Sequence, residues 1–503
     1  MDNNDFFAKQ RLKFLLCLTI LALITRLWNL GYVHKVIFDE VHYGKYISHY
    51  LSRQHFFDDH PPLAKLVVAA VAKASRLNPQ ASFESIGLEY PQDTPLAALR
   101  FITALFGALL MPLIFLFTEK VTNSTRAAVI TSTALLFDNA LIAHSRFISP
   151  DTFIIFFIIL TIYAFLRSEN GERRFWLILS GISAGFAIST KWIGLIGLAV
   201  VFCSILYKER FKLFSRRIFL YSFIFIVTPF LIYYAAISIH FKLLNQPQGF
   251  KEFIGLNLSM LYSHSRHLTH TYASKWFSWP IMARPVSYLH SSLGNNLIQN
   301  VTFVGNPFVW WLSSLGMFTF IILVLLTKIR PSKFKNLPQL PGQGIILSGY
   351  IISYLPFMSI SRCLFLYHYL TALIFAIIGT SVLLDKLLLP QPNEEREISA
   401  PTPGIITFIA GISLIVLAGR AVYLWYFPKE ISFLIGSFLT VGVSLFTLFL
   451  YFKAENIYKI SRLWLLALFL LLLGGFFSFM PLTYGLPIRQ KTFDFFMWIR
   501  SWI

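Results

Sequence analysis

The chain has 503 residues, of which 56% are hydrophobic and only 13% are charged. A soluble domain carries about 25% charged residues, so this composition excludes an ordinary soluble protein. The formal net charge is +20, and basic loops facing the cytoplasm explain it better than nucleic-acid binding does.

Apolar runs of about 20 residues, the length that a helix needs to cross a bilayer, recur along the whole sequence. They predict an all-α polytopic membrane protein with about 13 transmembrane helices. The predicted spans are residues 15–30, 96–117, 127–144, 152–166, 176–190, 192–207, 218–239, 308–327, 344–359, 364–389, 405–426, 433–452 and 463–481.

Basic residues are concentrated at one end of alternate spans. They lie at residues 9–13, 173–174, 208–217 and 328–335. Lysine and arginine are enriched in cytoplasmic loops, so the N-terminus is predicted to lie in the cytoplasm. The two longer loops, residues 34–94 and 240–306, are then expected on the outer face of the membrane.

The first long loop carries an acidic pair, Asp39 and Glu40, shortly after the first apolar run. A carboxylate at the membrane surface can take the proton from a hydroxyl group that attacks a sugar carbon. Adjacent acidic residues are also common in loops. The alternative is therefore a solvated pair, or an ion pair with a neighbouring lysine such as Lys35 or Lys45.

Residues 58–62 (Asp-Asp-His-Pro-Pro) precede an apolar segment, residues 63–77, that is expected to lie at the membrane interface or to re-enter it. The two prolines predict the first turn of a helix. Asp59 and His60 would then lie at a helix N-terminus, where anions and polar substrates bind. The alternative is a helix start that takes no part in chemistry.

Further charged residues lie within or beside apolar runs, at the predicted outer end. They are Arg100, Arg146, Asp151, Lys191 and Arg362. An intramembrane charge costs about 2.5–3.5 kcal/mol on insertion scales, so each needs a partner or must reach the interface. Snorkelling explains any one of these cations. For the whole set, together with the acidic pair, we predict a site that clamps a phosphate diester.

Metal ligands are not predicted. His264, His267 and His270 recur every third residue, but no carboxylate accompanies them, and the three cysteines show no paired spacing. We therefore expect that no metal and no other cofactor is required.

The acidic pair and its surroundings, residues 38–43 (Phe-Asp-Glu-Val-His-Tyr), resemble the first external loop of the protein O-mannosyltransferases. Five further segments resemble the same family in the same order. They are residues 189–194 (Ser-Thr-Lys-Trp-Ile-Gly), 272–285, 305–311, 364–370 and 481–487. Each match is weak alone, and their common order over nearly the whole chain makes the resemblance specific.

The resemblance implies a GT-C glycosyltransferase bundle that moves mannose, with inversion, from a polyprenyl phosphate to Ser or Thr hydroxyls of a translocating protein. It implies that Asp39 is the catalytic base and Glu40 its partner, and that Arg100 and Lys191 contact the donor phosphate. The other residues expected to bind substrate are His60, Arg146, Asp151, Arg362 and His368. The expected partners are the lipid-linked donor, an acceptor protein near the secretion translocon, and the bilayer.

We expect three parts: a catalytic transmembrane module at residues 1–240 that includes the external loop 34–94, a second external loop at 241–306 with interfacial helices, and a C-terminal transmembrane module at 307–503. The second loop is too short for the soluble β-trefoil module that eukaryotic members of the family carry there. This favours a bacterial inner membrane, or the ER membrane in a eukaryote, with the site on the periplasmic or luminal face.

Two other functions stay open. A related GT-C enzyme would glycosylate a lipid or an envelope polysaccharide, since nothing in the residues themselves selects mannose or a protein acceptor. A transporter or flippase for an anionic lipid would also use buried cations, but it predicts related halves. The sequence shows no internal repeat.

Overall fold

The computed structural model describes residues 3–81, 83–169, 173–209, 216–265, 269–329, 331–332, 340–360, 362–388 and 457–502. The predicted spans at residues 405–426 and 433–452 lie outside the described residues. Each of the other predicted spans coincides with helical structure.

The described chain contains sixteen α-helices and three strands. The helices are α1 (Asn3–Leu27), α2 (Glu40–Ser52), α3 (Leu63–Ala74), α4 (Leu96–Thr122), α5 (Thr125–Leu136), α6 (Asn139–Ser145), α7 (Asp151–Ser168), α8 (Arg173–Thr190), α9 (Leu195–Lys208), α10 (Arg216–Leu243), α11 (Phe250–His264), α12 (Pro307–Ile329), α13 (Gln343–Tyr354), α14 (Leu370–Leu383), α15 (Ile457–Tyr484) and α16 (Gln490–Phe496). The strands are β1 (Val286–Gly294), β2 (Leu297–Phe303) and β3 (Pro487–Arg489).

The polytopic membrane architecture is confirmed. Among the described residues, six helices are long and apolar enough to cross a membrane, or seven if the bent pair α5–α6 is counted as one span. The predicted number of 13 spans is not established by these helices. Every residue of α14 is buried, so this helix lies at the centre of the bundle.

A 62° bend separates α5 from α6. Arg26, which is fully buried, donates to the carbonyls of Leu135 and Leu136 at 3.2 and 3.0 Å. Asp138 caps α6 by accepting the Leu141 N–H at 2.9 Å. The backbone groups that the break exposes are therefore satisfied inside the protein, as an apolar environment requires.

A small antiparallel sheet, ordered β1-β2-β3, adds to the predicted all-α architecture. The β1–β2 hairpin turns at Asn295 and Asn296, whose φ angles are 51° and 58°. Two left-handed residues form the turn that matches the twist of a hairpin, and asparagine tolerates this conformation. The segment 241–306, for which only interfacial helices were predicted, therefore contains both α11 and a hairpin.

The ends of several helices meet beside this sheet. The C-terminal end of α1, the N-terminal ends of α4 and α7, and the C-terminal end of α8 all contribute polar residues to one region. Alternation of antiparallel helices places these ends together, as the order of the predicted spans requires. The opposite ends of α1 and α4 are joined by an ion pair between Arg11 and Glu119 at 2.7 Å.

Candidate active site

Asp39 lies in a tight turn directly before the first residue of α2. The Glu40 N–H donates to the Ile37 carbonyl at 2.8 Å, and Phe38 has a φ of 38°. This conformation is strained for a bulky side chain. Strand β1 supports it, because the Phe38 N–H donates to the Tyr288 carbonyl at 3.1 Å and the two rings stack 4.7 Å apart.

The half-buried Asp39 carboxylate has no hydrogen-bond donor among the described residues. Burial raises the pKa of Asp39 to about 6, and the positive charge of Lys191 opposes this shift while Asp151 adds to it. A carboxylate whose pKa lies near the working pH is suited to general-base catalysis. Asp39 is thus the carboxylate of the pair that is available to a substrate.

Glu40 points into the protein and pairs with Arg100. Arg100 donates from Nε and Nη2 to the two Glu40 oxygens, each at 2.8 Å, and both side chains are almost completely buried. Its other N–H groups donate to the carbonyls of Leu30, Val33 and Lys35. All five donors of the guanidinium are used. This geometry disfavours the predicted contact between Arg100 and a donor phosphate.

The Glu40 carboxylate also accepts hydrogen bonds from the Ile37 N–H at 3.0 Å, the Tyr90 hydroxyl at 3.1 Å and the Ile148 N–H at 3.2 Å. A carboxylate with this many donors has no room for a substrate. Glu40 therefore acts as an anchor that fixes the first turn of α2, and with it the position of Asp39. Arg100 is a positioning residue for this anchor.

Lys191 is the cation that remains available near Asp39. Its Nζ donates to Asp151 Oδ1 at 2.9 Å, and one ammonium has three donors. The other Asp151 oxygen lies 3.3 Å from His144 Nε2, and His144 Nδ1 is 2.6 Å from the Tyr288 hydroxyl. A chain of contacts thus links β1 to Lys191 through α7. His144 and Tyr288 were not among the predicted site residues.

Arg146 faces away from this group. It donates from Nη1 to the Arg26 carbonyl at 2.8 Å and from Nη2 to the Asn29 carbonyl at 3.4 Å. Its guanidinium lies 4.5 Å from the centre of the Tyr484 ring. These contacts make Arg146 a cap for the C-terminal end of α1, and they disfavour the predicted role in donor binding.

The loop before α3 lies within electrostatic reach of Asp39, because the charge of Asp58 acts on it. As predicted, a helix starts directly after Pro61 and Pro62. Lys65 on its first turn forms a buried ion pair with Asp58 and donates to the His60 carbonyl at 2.7 Å. Burial alone would raise the pKa of Asp58, but the charge and hydrogen bond of Lys65, together with His60 and Asp59, outweigh burial and hold that pKa below its ordinary value.

Three basic groups surround the Asp59 carboxylate. Arg362 Nη1 is 3.4 Å from Oδ2, His264 Nδ1 is 3.6 Å from Oδ2, and His60 Nε2 is 3.7 Å from Oδ1. The predicted residues His60 and Arg362 are thus brought together with His264, which is the last residue of α11. The charge of Lys191 also acts on the His60 ring. This group around Asp59 therefore lies within electrostatic reach of Lys191.

His368 belongs to an aromatic wall. Its Nδ1 is 3.1 Å from the Phe365 N–H, and its ring stacks on Tyr367 and Trp279 with centroids 4.7 and 6.0 Å apart. Tyr367 also stacks on His144 at 5.2 Å. His368 therefore shapes the loop before α14, and the structure shows no carboxylate hydrogen-bonded to it within the described residues.

The arrangement places the Asp39 carboxylate within electrostatic reach of the Lys191 ammonium. Asp39 can accept a proton, and Lys191 retains two N–H donors for an anion. The sequence offered a clue to His144, since it is an ionisable residue at the end of an apolar run. It offered none to Tyr288, whose place depends on the hairpin.

Two family models match the chain. The model described as Dolichyl-phosphate-mannose-protein mannosyltransferase matches residues 16–245. The model described as the C-terminal four TMM region of protein-O-mannosyltransferase matches residues 249–435. Together they account for most of the sequence, in the order in which the resembling segments occur.

Individual relatives carry related names. Dolichyl-phosphate-mannose–protein mannosyltransferase 4 of Candida albicans is 35% identical over 246 residues, which cover 45% of this chain and 33% of the relative. Protein O-mannosyl-transferase 1 of Homo sapiens is 34% identical over 189 residues, which cover 36% of this chain and 25% of the relative. The matched region thus spans a third or less of these two relatives.

Solved structures share the fold. The S. cerevisiae Pmt1-Pmt2 complex bound to the sugar donor gives a TM-score of 0.76 at 17% identity, over 100% of this chain and 95% of that chain. ArnT from Cupriavidus metallidurans bound to undecaprenyl phosphate gives a TM-score of 0.51 at 14% identity, over 95% of this chain and 78% of that chain. The predicted GT-C fold is confirmed, and with both halves of the sequence matched, the chain belongs to the protein O-mannosyltransferase family.

Proposed function

We propose that this chain is an inverting glycosyltransferase that moves mannose from a polyprenyl phosphate to serine or threonine hydroxyls of proteins at the outer face of the membrane. One observation carries the proposal: a half-buried carboxylate, Asp39, accepts no hydrogen bond from the described residues and lies near an ammonium group, Lys191, that has donors to spare. The substrates are those named for relatives such as dolichyl-phosphate-mannose–protein mannosyltransferase 4.

The two groups divide the reaction between them. Asp39 accepts the proton of the acceptor hydroxyl while the hydroxyl oxygen bonds to the anomeric carbon. The bond from that carbon to the phosphate oxygen breaks, and its electron pair leaves with the lipid phosphate. Attack from the face opposite the phosphate inverts the anomeric configuration. Lys191 stabilises the charge that develops on the leaving phosphate.

The surrounding residues hold these two groups in place. Glu40 and Arg100 fix the turn that carries Asp39, while Asp151 and His144 fix Lys191. We assign His60, Arg362 and His368 to the walls of the donor site. Phosphate is a good leaving group and Lys191 can neutralise its charge, so this scheme asks for no catalytic metal.

The protein is a multi-pass membrane protein, and we propose that it resides in a bacterial inner membrane with its site on the periplasmic face. Support comes from the segment 241–306, in which the described residues form α11 and the β1–β2 hairpin. This segment is too short for the β-trefoil module that eukaryotic members of the family carry there. An ER membrane is the corresponding location in a eukaryotic cell. The acceptor would be a protein that emerges from the secretion machinery.

The test is transfer of labelled mannose from polyprenyl-phosphate mannose by membranes that contain the wild-type chain, the Asp39→Asn variant or no such chain. We expect label in the protein fraction with the wild type only. A lipid acceptor is the second candidate, because nothing in the site residues themselves selects a protein acceptor. Label found only in the lipid extract would contradict the protein acceptor, and equal label with all three membranes would contradict the enzyme.

A further inference from the structure

A second group of ligand-type side chains lies between the loop before α3 and the end of α11. Asp59, His60 and His264 each offer one donor atom, and these atoms all lie within 4.8 Å of one another. Asp59 and His60 belong to the loop before α3, whereas His264 is the last residue of α11. Two separate external segments therefore converge on one point.

The distances suit a single metal ion. Donor atoms arranged tetrahedrally at zinc–ligand distances lie about 3.3–3.6 Å apart. The Asp59 carboxylate is 3.6 Å from His264 Nδ1 and 3.7 Å from His60 Nε2. These separations, to Oδ2 and Oδ1 respectively, are too long for hydrogen bonds. An ion would draw together three donor atoms that lie within 4.8 Å of one another.

Unsatisfied ring nitrogens provide an independent sign. The Nδ1 atoms of His60 and His264 are buried and have no hydrogen-bond partner among the described residues. A buried polar atom without a hydrogen-bond partner destabilises the folded protein. Because an imidazole nitrogen is a good ligand for zinc, an ion would satisfy one of these atoms directly.

We propose that Asp59, His60 and His264 bind one zinc ion, which ties α11 to the loop before α3. Two imidazoles and one carboxylate form a donor set that suits zinc better than calcium or magnesium, which prefer oxygen ligands. The fourth position is left for water. The ion has a structural role, and it does not replace Lys191 or Asp39 in the transfer reaction.

Arg362 is the competitor for this ion. Its guanidinium lies 3.4 Å from the Asp59 oxygen that also faces His264. A metal ion at Asp59 must share this carboxylate with Arg362 or displace it. Removal of the Arg362 charge should therefore tighten metal binding. If Arg362 instead only held Asp59 in place for the metal, its removal would weaken metal binding.

The test measures zinc binding by the full-length protein in detergent, after removal of metals with a chelator. We expect about one zinc per chain that is lost or weakened at least tenfold in His264→Phe and in Asp59→Asn. His270→Phe, which removes an exposed imidazole of the same external segment, should bind like the wild type. Arg362→Gln should bind zinc several-fold more tightly, and magnesium should not compete.

Cobalt(II) gives a second readout that does not depend on stability. The wild type with Co²⁺ should show visible absorption of the intensity typical of a tetrahedral site, and His264→Phe should lose it. Equal zinc affinity in the wild type, His264→Phe and Asp59→Asn would overturn the proposal, as would weaker binding by Arg362→Gln. Transfer activity is not needed for either measurement, so the zinc site and the proposed enzyme can fail separately.

Discussion

Glu40 and Arg100 form a buried bidentate ion pair in which both N–O distances are 2.8 Å. The pair joins α2 to α4 and fixes the turn that carries Asp39. It also separates the roles of two neighbouring carboxylates, since Glu40 is saturated with donors and Asp39 has none among the described residues. One residue of the acidic pair serves structure, and the other is left for chemistry.

Loss of this ion pair should destabilise the fold. Glu40→Ala leaves the Arg100 charge buried without its partner, which costs about 3–5 kcal/mol of unfolding free energy. Thermal unfolding in detergent should show a clear decrease in the midpoint. The double variant Glu40→Ala/Arg100→Met removes both charges and should recover part of the loss. A double variant less stable than Glu40→Ala would contradict this explanation.

Asp39→Asn should abolish transfer while the protein still folds. Loss of a general base lowers the rate by about 10²–10⁴-fold. Labelled mannose transfer by purified protein measures the rate, and size-exclusion chromatography with thermal unfolding measures the fold. Transfer at the wild-type rate would exclude Asp39 as the base.

The same variant should be more stable than the wild type near neutral pH. The pKa of Asp39 is raised from 3.8 to about 6, so ionisation disfavours the folded state once the pH exceeds about 4, and the full penalty is present above about 6. We expect Asp39→Asn to gain about 1–3 kcal/mol at pH 7.5. The gain should disappear at pH 4, and unequal stability there would point to another cause.

The pH dependence of transfer should report the same group. The base must be ionised to accept a proton, so kcat/KM should rise with pH and level off above an apparent pKa of about 6. The measurement is a profile of kcat/KM at subsaturating donor, from about two pH units below that pKa to about two units above it. A rate that falls over this interval would contradict the assignment.

Lys191 and Arg146 provide a matched comparison between two cations near the site. Lys191→Met should lower kcat/KM by about 10²–10³-fold, because it removes the group that stabilises the leaving phosphate. Arg146→Met should mainly reduce stability, because its contacts are with α1 and Tyr484. Equal losses of kcat/KM in two folded variants would contradict the assignment of the phosphate to Lys191.

The zinc proposal shows how a site can escape pattern analysis. The regular spacing of His264, His267 and His270 suggested one helical face without a carboxylate, and no metal was predicted. In the structure, His264 instead lies beside Asp59 and His60, which are far away in sequence. Spacing along one helix carries no information about such a partner.

Local sequence determined the helices and the location of the acidic pair. Burial of apolar side chains and satisfaction of the backbone leave a run of about 20 apolar residues little choice but a helix. The tertiary structure alone decided the roles of the charged residues: Arg100 pairs with Glu40, Arg146 caps α1, and Lys191 pairs with Asp151 while keeping N–H donors for an anion. The reason is physical, because the partner of a buried charge is whatever group the packing of distant helix ends brings within hydrogen-bond distance.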